Sequence, residues 1–281
     1  MIFLPGLGSS PFQYTGLIEN LVSHGYAVAA INHPHDTGAF KFSDGSVVRY
    51  AAEKWDRAVP KDWTAEQRKQ FFDERRVQWA KDASFVVDQL QRQISPVARA
   101  LDFANLGILG HSFGGQATSI ACAADERFKA CANLDGLAQG AAVLPDEKGT
   151  VMKQPFLFFT KAPDVTDFEL RMMGMTRSQF RERDRRRILE KMNPSYKSSL
   201  ADLRSGAYWL ILPRAMHASF GDSPLYDTRS TQPYEERLAL LGTINEYVLA
   251  FFDKFLRKNP ATLLDSGSNR PSEVIVQYLK K

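Results

Sequence analysis

One short segment constrains the fold of this chain more than any other, and it reads Gly-His-Ser-Phe-Gly over residues 110–114. An apolar run at residues 104–109 leads into it, and a helix-compatible stretch at residues 116–124 follows it. This order predicts a strand, a sharp turn that exposes the hydroxyl of Ser112, and then a helix. The two flanking glycines support the turn, because a Cβ atom cannot be accommodated where strand and helix approach closely.

Strand and helix signals alternate along the rest of the chain. Continuous apolar runs predict buried strands at residues 2–4, 26–31, 128–134, 154–160 and 207–212. Helical spacing of apolar residues occurs at residues 11–23 and 238–255, and the capping-box pattern at residues 64–67 predicts the start of a long helix. Buried strands interleaved with helices predict an α/β fold, with a mostly parallel sheet covered by helices on both faces.

Two polar insertions, at residues 36–60 and 165–206, interrupt this alternation. Both follow strand ends, on the side of an open α/β sheet where ligands bind. The second has a capping-box pattern at residues 176–179 and an arginine-rich stretch after it. We expect it to form a helical cap. Its arginines are predicted to lie on a solvated helix face and not to form a specific lipid or anion site. The chain is otherwise predicted to be one domain over residues 1–281.

Composition and charge exclude several other classes of protein. Of the 281 residues, 44% are hydrophobic and 24% are charged, which is typical of a globular chain. The net charge of +4 is too mild to indicate nucleic-acid binding. No apolar run reaches the roughly 18 residues of a membrane span, and the start of the chain lacks a signal-peptide pattern. The sequence as written predicts a cytoplasmic protein, with secretion or the periplasm as the alternative if the N-terminus is truncated.

Cys122 and Cys131 are the only cysteines. They flank the turn between a predicted helix and the next predicted strand, a position that allows a disulfide. We predict instead two buried free thiols, because cysteine commonly behaves as a small buried hydrophobic residue. A pair this sparse predicts no metal site.

The serine at the turn needs a base to take its proton and an acid to orient that base. In folds with this turn the three residues follow in the order Ser, Asp or Glu, His. His217 is the only one of the five histidines that follows Ser112, and it comes directly after the last predicted strand, so we predict that it is the base. Asp135 and Asp164 each come just after a predicted strand, and chain order leaves both open as the acid.

A negatively charged oxygen formed by attack of the serine needs two backbone N–H donors. The amide of Phe113, next after the serine, is predicted to be one. The loop after the first strand, with Gly-Leu-Gly at residues 6–8, should supply the other, with Leu7 as its donor. The same glycines also suit an ordinary tight turn.

Beyond these motifs, the chain resembles the platelet-activating-factor acetylhydrolase family, in its plasma and type II forms, and related bacterial esterases. The similar segments are residues 6–8, 21–33, 73–90, 110–115, 134–136, 154–160 and 217–222. In that family the acid follows the strand after the nucleophile helix, at the spacing found here between Ser112 and Asp135. The resemblance therefore favours Asp135 over Asp164.

The resemblance implies an α/β-hydrolase fold and a serine carboxylesterase that degrades lipids with short acyl groups. The implied substrate is a small ester or a phospholipid with a short sn-2 acyl chain, met by peripheral membrane contact, and no metal or other cofactor is implied. Three features depart from the family. The basic insertion at residues 165–206 is longer than the family leads us to expect, so substrate specificity does not simply carry over. Pro5 stands where the family has histidine, and the chain begins at what should be an interior strand, so the opening strands of the fold are expected to be missing.

Two further hypotheses are kept. His33, His35 and Asp36 form a cluster of residue types that suit zinc, which would indicate a metal-dependent hydrolase. The basic insertion at residues 165–206 would instead suit a lipid- or partner-binding protein that has kept a hydrolase fold.

Overall fold

Seven strands form the main sheet of this computed structural model, which describes residues 1–51, 63–136, 152–161, 200, 203, 205–228, 230, 232–265 and 274–280. The described strands are β1 (Ile2–Leu4), β2 (Ala29–Ala30), β3 (Phe40–Lys41), β4 (Val47–Val48), β5 (Leu106–His111), β6 (Phe128–Leu134), β7 (Phe156–Lys161), β8 (Ala207–Leu212) and β9 (Ile275–Leu279). The main sheet has the order β2-β1-β5-β6-β7-β8-β9. Every neighbouring pair in it is parallel except β8 and β9. β3 and β4 form a separate antiparallel pair.

Helices cover both faces of this sheet. The described helices are α1 (Thr15–Ser23), α2 (Ala65–Arg92), α3 (Pro96–Ala100), α4 (Phe113–Ala124), α5 (Ser223–Tyr226), α6 (Tyr234–Leu256) and α7 (Thr262–Asp265). Residues of α2 and α4 share one buried apolar cluster with the sheet, and residues of α1 and α6 share the other. In the part of the chain that the structure describes, no helix is both long and apolar enough to cross a membrane. The predicted parallel sheet with helices on both faces is confirmed.

Strand β7 shows why the central strands appear in the sequence as unbroken apolar runs. Phe156 and Phe158 pack into the cluster that contains α2 and α4, whereas Leu157 and Phe159 pack into the cluster that contains α1 and α6. All four side chains are fully buried. Because successive side chains of a strand point to opposite faces, a strand covered on both sides needs apolar residues at every position.

Both edges of the described sheet differ from the prediction. The strand predicted at residues 26–31 is only two residues long, and its side chains are partly exposed because it pairs with β1 alone. The opposite edge, β9, was not predicted at all. Its residues are partly or largely exposed, so it has no continuous apolar run to signal a buried strand. β1 lies between β2 and β5, as expected of an interior strand.

The long helix α2 begins where the capping box predicts. The Thr64 N–H donates to Oε1 of Gln67 over 2.8 Å, and the Gln67 N–H donates to Oγ1 of Thr64 over 3.2 Å. These two bonds satisfy amides at the helix start that have no partner within the helix. The cap predicted at residues 165–206 lies almost entirely outside the described residues, as do residues 52–60 of the first insertion.

The prediction of two free thiols is wrong, because Cys122 and Cys131 form a disulfide. Cys122 lies near the end of α4 and Cys131 lies within β6, and both are fully buried. Their Cα atoms are 6.3 Å apart, within the range that a disulfide spans. The turn between α4 and β6 folds the helix back against the strand and brings the two side chains together, a relation that cysteine spacing alone does not reveal.

Replacing both cysteines with alanine is expected to lower the free energy of unfolding by about 2–3 kcal/mol, since the cross-link restricts a short loop in the unfolded chain. Urea denaturation of the Cys122→Ala/Cys131→Ala double variant beside the wild type measures this difference. As a control, thiol titration of the denatured wild type should find no thiols before reduction and two after it. Two thiols before reduction would contradict the disulfide.

Candidate active site

Ser112 lies at the turn between β5, which ends at His111, and α4, which begins at Phe113. Its backbone has φ 54° and ψ −120°, a conformation that costs a residue with a Cβ atom about 1–3 kcal/mol. The Ser112 N–H donates to the carbonyl oxygen of Leu134 over 2.9 Å, which holds the turn against the end of β6. The turn leaves the serine side chain partly exposed above the sheet.

The flanking glycines are required by contact distances. A Cβ atom on Gly110 would lie 2.5 Å from the backbone of Gly114, and one on Gly114 would overlap the carbonyl oxygen of Leu4. Any side chain at either position would push the helix away from the sheet. The glycine pattern in the sequence thus indicates the close approach of α4 to the sheet that the structure has.

His217 lies in a single 3-10 turn, His217–Phe220, beyond the end of β8. Its Nε2 accepts a hydrogen bond from Oγ of Ser112 over 2.8 Å. Its Nδ1 donates to Oδ2 of Asp135 over 2.6 Å. The three predicted residues therefore form one hydrogen-bond chain at the carboxyl ends of three parallel strands.

Asp135 follows the last residue of β6 and has a left-handed backbone with φ 52°. Its N–H donates to the carbonyl oxygen of Phe159 over 2.9 Å, and its Oδ1 accepts from the N–H of Lys161 over 3.1 Å. These bonds to β7 leave Oδ2 directed at His217. The other candidate acid, Asp164, lies outside the described residues.

The loop after β1 lies beside this chain and contains Leu7. The Gly6 N–H donates to Oη of Tyr14 over 3.0 Å, the Gly8 N–H to the carbonyl oxygen of Asp36 over 2.8 Å, and the Ser9 N–H to that of Gly6 over 3.0 Å. Within the described residues, the Leu7 N–H has no protein acceptor, so it is the amide of this stretch that a ligand can use.

Phe113 is the first residue of α4. The amides at the start of a helix have no acceptor within the helix and lie at the positive end of its dipole. One donor named from the sequence is thus the neighbour of Ser112 in the chain, and the other lies in the loop after β1, which packs against His111. This arrangement suits stabilisation of a negatively charged oxygen.

A buried carboxylate supports the loop after β1 from behind. Asp36 is 3% exposed, and its carboxylate accepts two hydrogen bonds from Nη2 of Arg75, at 2.5 and 2.6 Å, and one of 2.9 Å from Nε1 of Trp79. Trp79 also packs nearly perpendicular to the ring of Phe113, with ring centroids 5.0 Å apart. Sequence reasoning missed Arg75 and Trp79, although their spacing of one helical turn on α2 is compatible with a shared partner.

Two of the three residues of the metal hypothesis, His33 and Asp36, bind other side chains. His33 is buried, its Nδ1 donates to Oδ2 of Asp82 over 2.7 Å, and its ring stacks on Trp79 with centroids 3.8 Å apart. Burial lowers the pKa of this imidazole, and the bond to Asp82 opposes that shift. His35 is exposed, and Asp36 is occupied as described above. Among the described residues, no group of three or more histidine, cysteine or carboxylate side chains could hold a metal ion.

His111, directly before the serine, is another buried histidine that sequence reasoning did not use. Burial holds the pKa of its imidazole well below the usual range, and the nearby His217 lowers it further. Its Nε2 lies 2.9 Å from the backbone oxygen of His217, and its Nδ1 lies 2.8 Å from Oη of Tyr14. A neutral histidine is thus built into the wall behind the serine.

Comparisons with known proteins identify the family and the fold. Residues 1–274 match the model of the family described as "Alpha/beta hydrolase family". Among solved structures, the fold is similar to the ferulic acid esterase from Streptomyces cinnamoneus, with a TM-score of 0.70 and 25% sequence identity over 98% of this chain and 72% of that one.

The curated relatives are longer proteins, and each match covers only part of them. The chain is 31% identical over 159 residues to a probable 1-alkyl-2-acetylglycerophosphocholine esterase from Arthroderma benhamiae, a match that covers 56% of this chain and 36% of that protein. It is 26% identical over 148 residues to the platelet-activating factor acetylhydrolase of Cavia porcellus, covering 48% of this chain and 34% of that protein. The matched segments span about a third of each relative. Together with the fold, they confirm the resemblance that the sequence predicted.

Stability is expected to fall as the pH drops below about 6.5, the ordinary pKa of histidine. Below that pH the unfolded chain binds a proton at His111, whereas the folded protein keeps this imidazole neutral. Above that pH neither state binds the proton, so the free energy of unfolding is not reduced by this residue. Below it the loss approaches about 1.4 kcal/mol per pH unit until the lowered pKa of the folded state is reached.

Urea denaturation between about pH 7 and pH 5 measures this slope. The His111→Gln variant is the control, because it lacks the titrating group and keeps all other histidines. It should lose less stability over this interval than the wild type. Equal slopes in the two proteins would show that His111 does not carry the effect.

Proposed function

We propose that this chain, which belongs to the alpha/beta hydrolase family, is a serine carboxylic ester hydrolase that works through an acyl-enzyme. The observation that carries the proposal is the continuous hydrogen-bond chain from Oγ of Ser112 through His217 to Asp135, with links of 2.8 and 2.6 Å. This is the arrangement that converts a weakly nucleophilic hydroxyl into an effective one.

In the first half of the proposed reaction, Oγ of Ser112 attacks the ester carbonyl carbon while Nε2 of His217 takes the hydroxyl proton. The carbonyl oxygen becomes negatively charged and accepts hydrogen bonds from the amides of Leu7 and Phe113. The intermediate then collapses, the bond to the alcohol oxygen breaks, and His217 returns its proton to that oxygen. An acyl group remains on Ser112.

In the second half, a water molecule gives a proton to Nε2 of His217 and its oxygen attacks the acyl carbon. Collapse then breaks the bond from that carbon to Oγ of Ser112 and releases the acid, while His217 returns the proton to Oγ and restores the hydroxyl. Asp135 acts throughout by accepting the Nδ1–H of His217. That bond keeps Nε2 available as the acceptor and stabilises the imidazolium that forms twice in each cycle. These steps use only residues of this chain and water.

For the substrate we propose a short acyl ester, including phospholipids with a short sn-2 chain reached by peripheral contact with a membrane. The names of the relatives from Arthroderma benhamiae and Cavia porcellus support this class. The ferulic acid esterase similarity supports ester hydrolysis with a different acyl group, so the acyl preference needs a direct test.

The disulfide bears on where the protein works. Disulfides persist in oxidising compartments and are rare in the cytoplasm of mesophilic organisms. We therefore propose secretion or the periplasm in place of the cytoplasmic location that the sequence as written suggested.

Ser112→Ala is expected to lower kcat for the best ester by about 10⁴-fold or more, because it removes the nucleophile. Asp135→Asn should lower it by about 10²- to 10⁴-fold, because it disturbs the orientation and charge of His217. Asp164→Asn is the matched control and should stay close to the wild type. Steady-state kinetics beside thermal melting separates these effects from misfolding. A larger loss in Asp164→Asn than in Asp135→Asn would exchange their roles, and an unaffected Ser112→Ala variant would refute the proposed function.

A series of p-nitrophenyl esters from acetyl to long acyl chains, run beside a phospholipid with a short sn-2 chain and methyl ferulate, tests the substrate class. We expect kcat/KM to be highest for the shortest chains and to fall by about tenfold or more along the series, since a pocket sized for a short chain excludes extra methylenes. Equal rates for acetyl and long-chain esters, or a preference for methyl ferulate, would contradict the short-acyl proposal.

A further inference from the structure

A buried hydrogen-bond chain runs behind Ser112 and does not include it. It starts at the Gly6 N–H, which donates to Oη of Tyr14 over 3.0 Å. From Oη it continues to Nδ1 of His111 over 2.8 Å, and Nε2 of His111 lies 2.9 Å from the backbone oxygen of His217. Tyr14 and His111 are only 2% and 5% exposed. The chain therefore joins the residue before Leu7 to the backbone of the proposed base.

Only one direction of donation satisfies every member of this chain. The carbonyl oxygen of His217 can only accept, so Nε2 of His111 must carry the hydrogen. Burial keeps His111 neutral, which leaves Nδ1 with a lone pair and no hydrogen. The hydroxyl of Tyr14 must then donate to Nδ1, while its oxygen accepts from the Gly6 N–H. The tautomer of His111 is thus set by its two neighbours.

Packing around the chain limits its movement. The His111 ring lies 4.6 Å from the ring of His217 and stacks on Phe220 at 5.7 Å, and both partners belong to the turn that carries the base. On the other side, a Cβ atom on Gly6 would lie 3.1 Å from Oη of Tyr14 and 3.3 Å from Nδ1 of His111. The loop after β1 is therefore pressed directly against the two side chains.

A second connection ties the same elements together. The N–H of Asp222, just beyond the turn that carries His217, donates to the carbonyl oxygen of Gln13 over 2.7 Å. The carboxylate of Asp222 accepts from the Gly16 N–H at 3.1 and 3.2 Å. Gln13 and Gly16 lie on either side of Tyr14 along the chain, so the backbone next to Tyr14 is fixed to the segment that contains the base.

We propose that Tyr14 and His111 are positioning residues that hold the Leu7 amide and the His217 imidazole in register on the two sides of Ser112. The inference rests on the proposed function, because it concerns the same reaction. The oxyanion donor and the base come from opposite ends of the sequence, and both must meet one substrate carbon. A displacement of about 1 Å in such a group lowers the rate by about 100-fold.

A positioning role predicts a change in the kinetic constants that a purely structural role does not. The oxyanion forms only in the transition state, so a shifted Leu7 amide should lower kcat and leave KM largely unchanged. Affinity for a trifluoromethyl ketone should fall with kcat, because its adduct with Ser112 places a negative oxygen at the same donors. A loss of stability alone would change neither the kcat nor the ketone affinity of the protein molecules that remain folded.

The test compares Tyr14→Phe with Tyr26→Phe. Tyr26 is the matched control, because its hydroxyl also donates a short bond, 2.7 Å to Oδ1 of Asp253, but Tyr26 precedes the amino end of β2, whereas Ser112 follows the carboxyl end of β5. We expect Tyr14→Phe to lower kcat and ketone affinity by about tenfold each, with little change in KM. Tyr26→Phe should change the melting temperature and none of these three quantities.

Two variants of His111 separate its hydrogen bonds from its bulk. The amide of His111→Gln can still donate to the backbone oxygen of His217, whereas His111→Leu cannot, so the glutamine variant should retain the higher kcat. Nitrogen NMR of labelled wild-type protein should show His111 with its hydrogen on Nε2 and without titration across neutral pH. This measurement needs no substrate.

The inference and the proposed function fail in different ways. If the wild type hydrolyses esters and Tyr14→Phe keeps kcat within about twofold of it, the positioning role is wrong and the esterase proposal stands. A hydrogen on Nδ1 of His111 would also overturn the inference, as would a loss of kcat that ketone affinity does not follow. A wild type that hydrolyses no ester would overturn the proposed function and the inference with it.

Discussion

The close approach of β5 and α4 at the Ser112 turn is the constraint on which the rest of the site depends. It forces the serine backbone to φ 54°, and it holds only because Gly110 and Gly114 leave room for contact between helix and sheet. The bond from the Ser112 N–H to Leu134 fastens this turn to β6, and the disulfide joins the far end of α4 to the same strand. The strain at the serine is therefore offset by the hydrogen bond and the packing around it.

Two buried polar networks then hold the loop after β1 from different sides. Asp36 accepts the Gly8 N–H through its backbone oxygen, while its carboxylate is fixed by two side chains of α2. Tyr14 accepts the Gly6 N–H and passes the connection to His111. Between these anchored glycines lies Leu7, whose amide has no acceptor in the described part of the chain. Buried polar groups that are hydrogen-bonded in this way rigidify the backbone they bind.

The sequence predicted the features of the fold that depend on residues close together along the chain. The glycines around Ser112, the capping box at residues 64–67 and the apolar runs of the central strands each have a local physical cause, and the structure has the corresponding elements. His217 was found by exclusion, since no other histidine follows the serine. The choice between Asp135 and Asp164 needed the family resemblance. Both residues follow predicted strands, and their positions in the sequence do not show where those strands lie in the sheet.

Contacts between distant segments were decided only by the tertiary structure. The free-thiol prediction failed because the pairing of Cys122 with Cys131 depends on how α4 folds back on β6. Arg75 and Trp79 gained a role only when α2 was placed behind the loop after β1, and Tyr14 and His111 only when α1 and the turn at His217 met. The sequence by itself determined the central strands and the glycines of the Ser112 turn, and together with the family resemblance it predicted the residues of the proposed chemistry. Their register, their buried partners and the direction of their hydrogen bonds arise from packing, because each depends on atoms far apart along the chain.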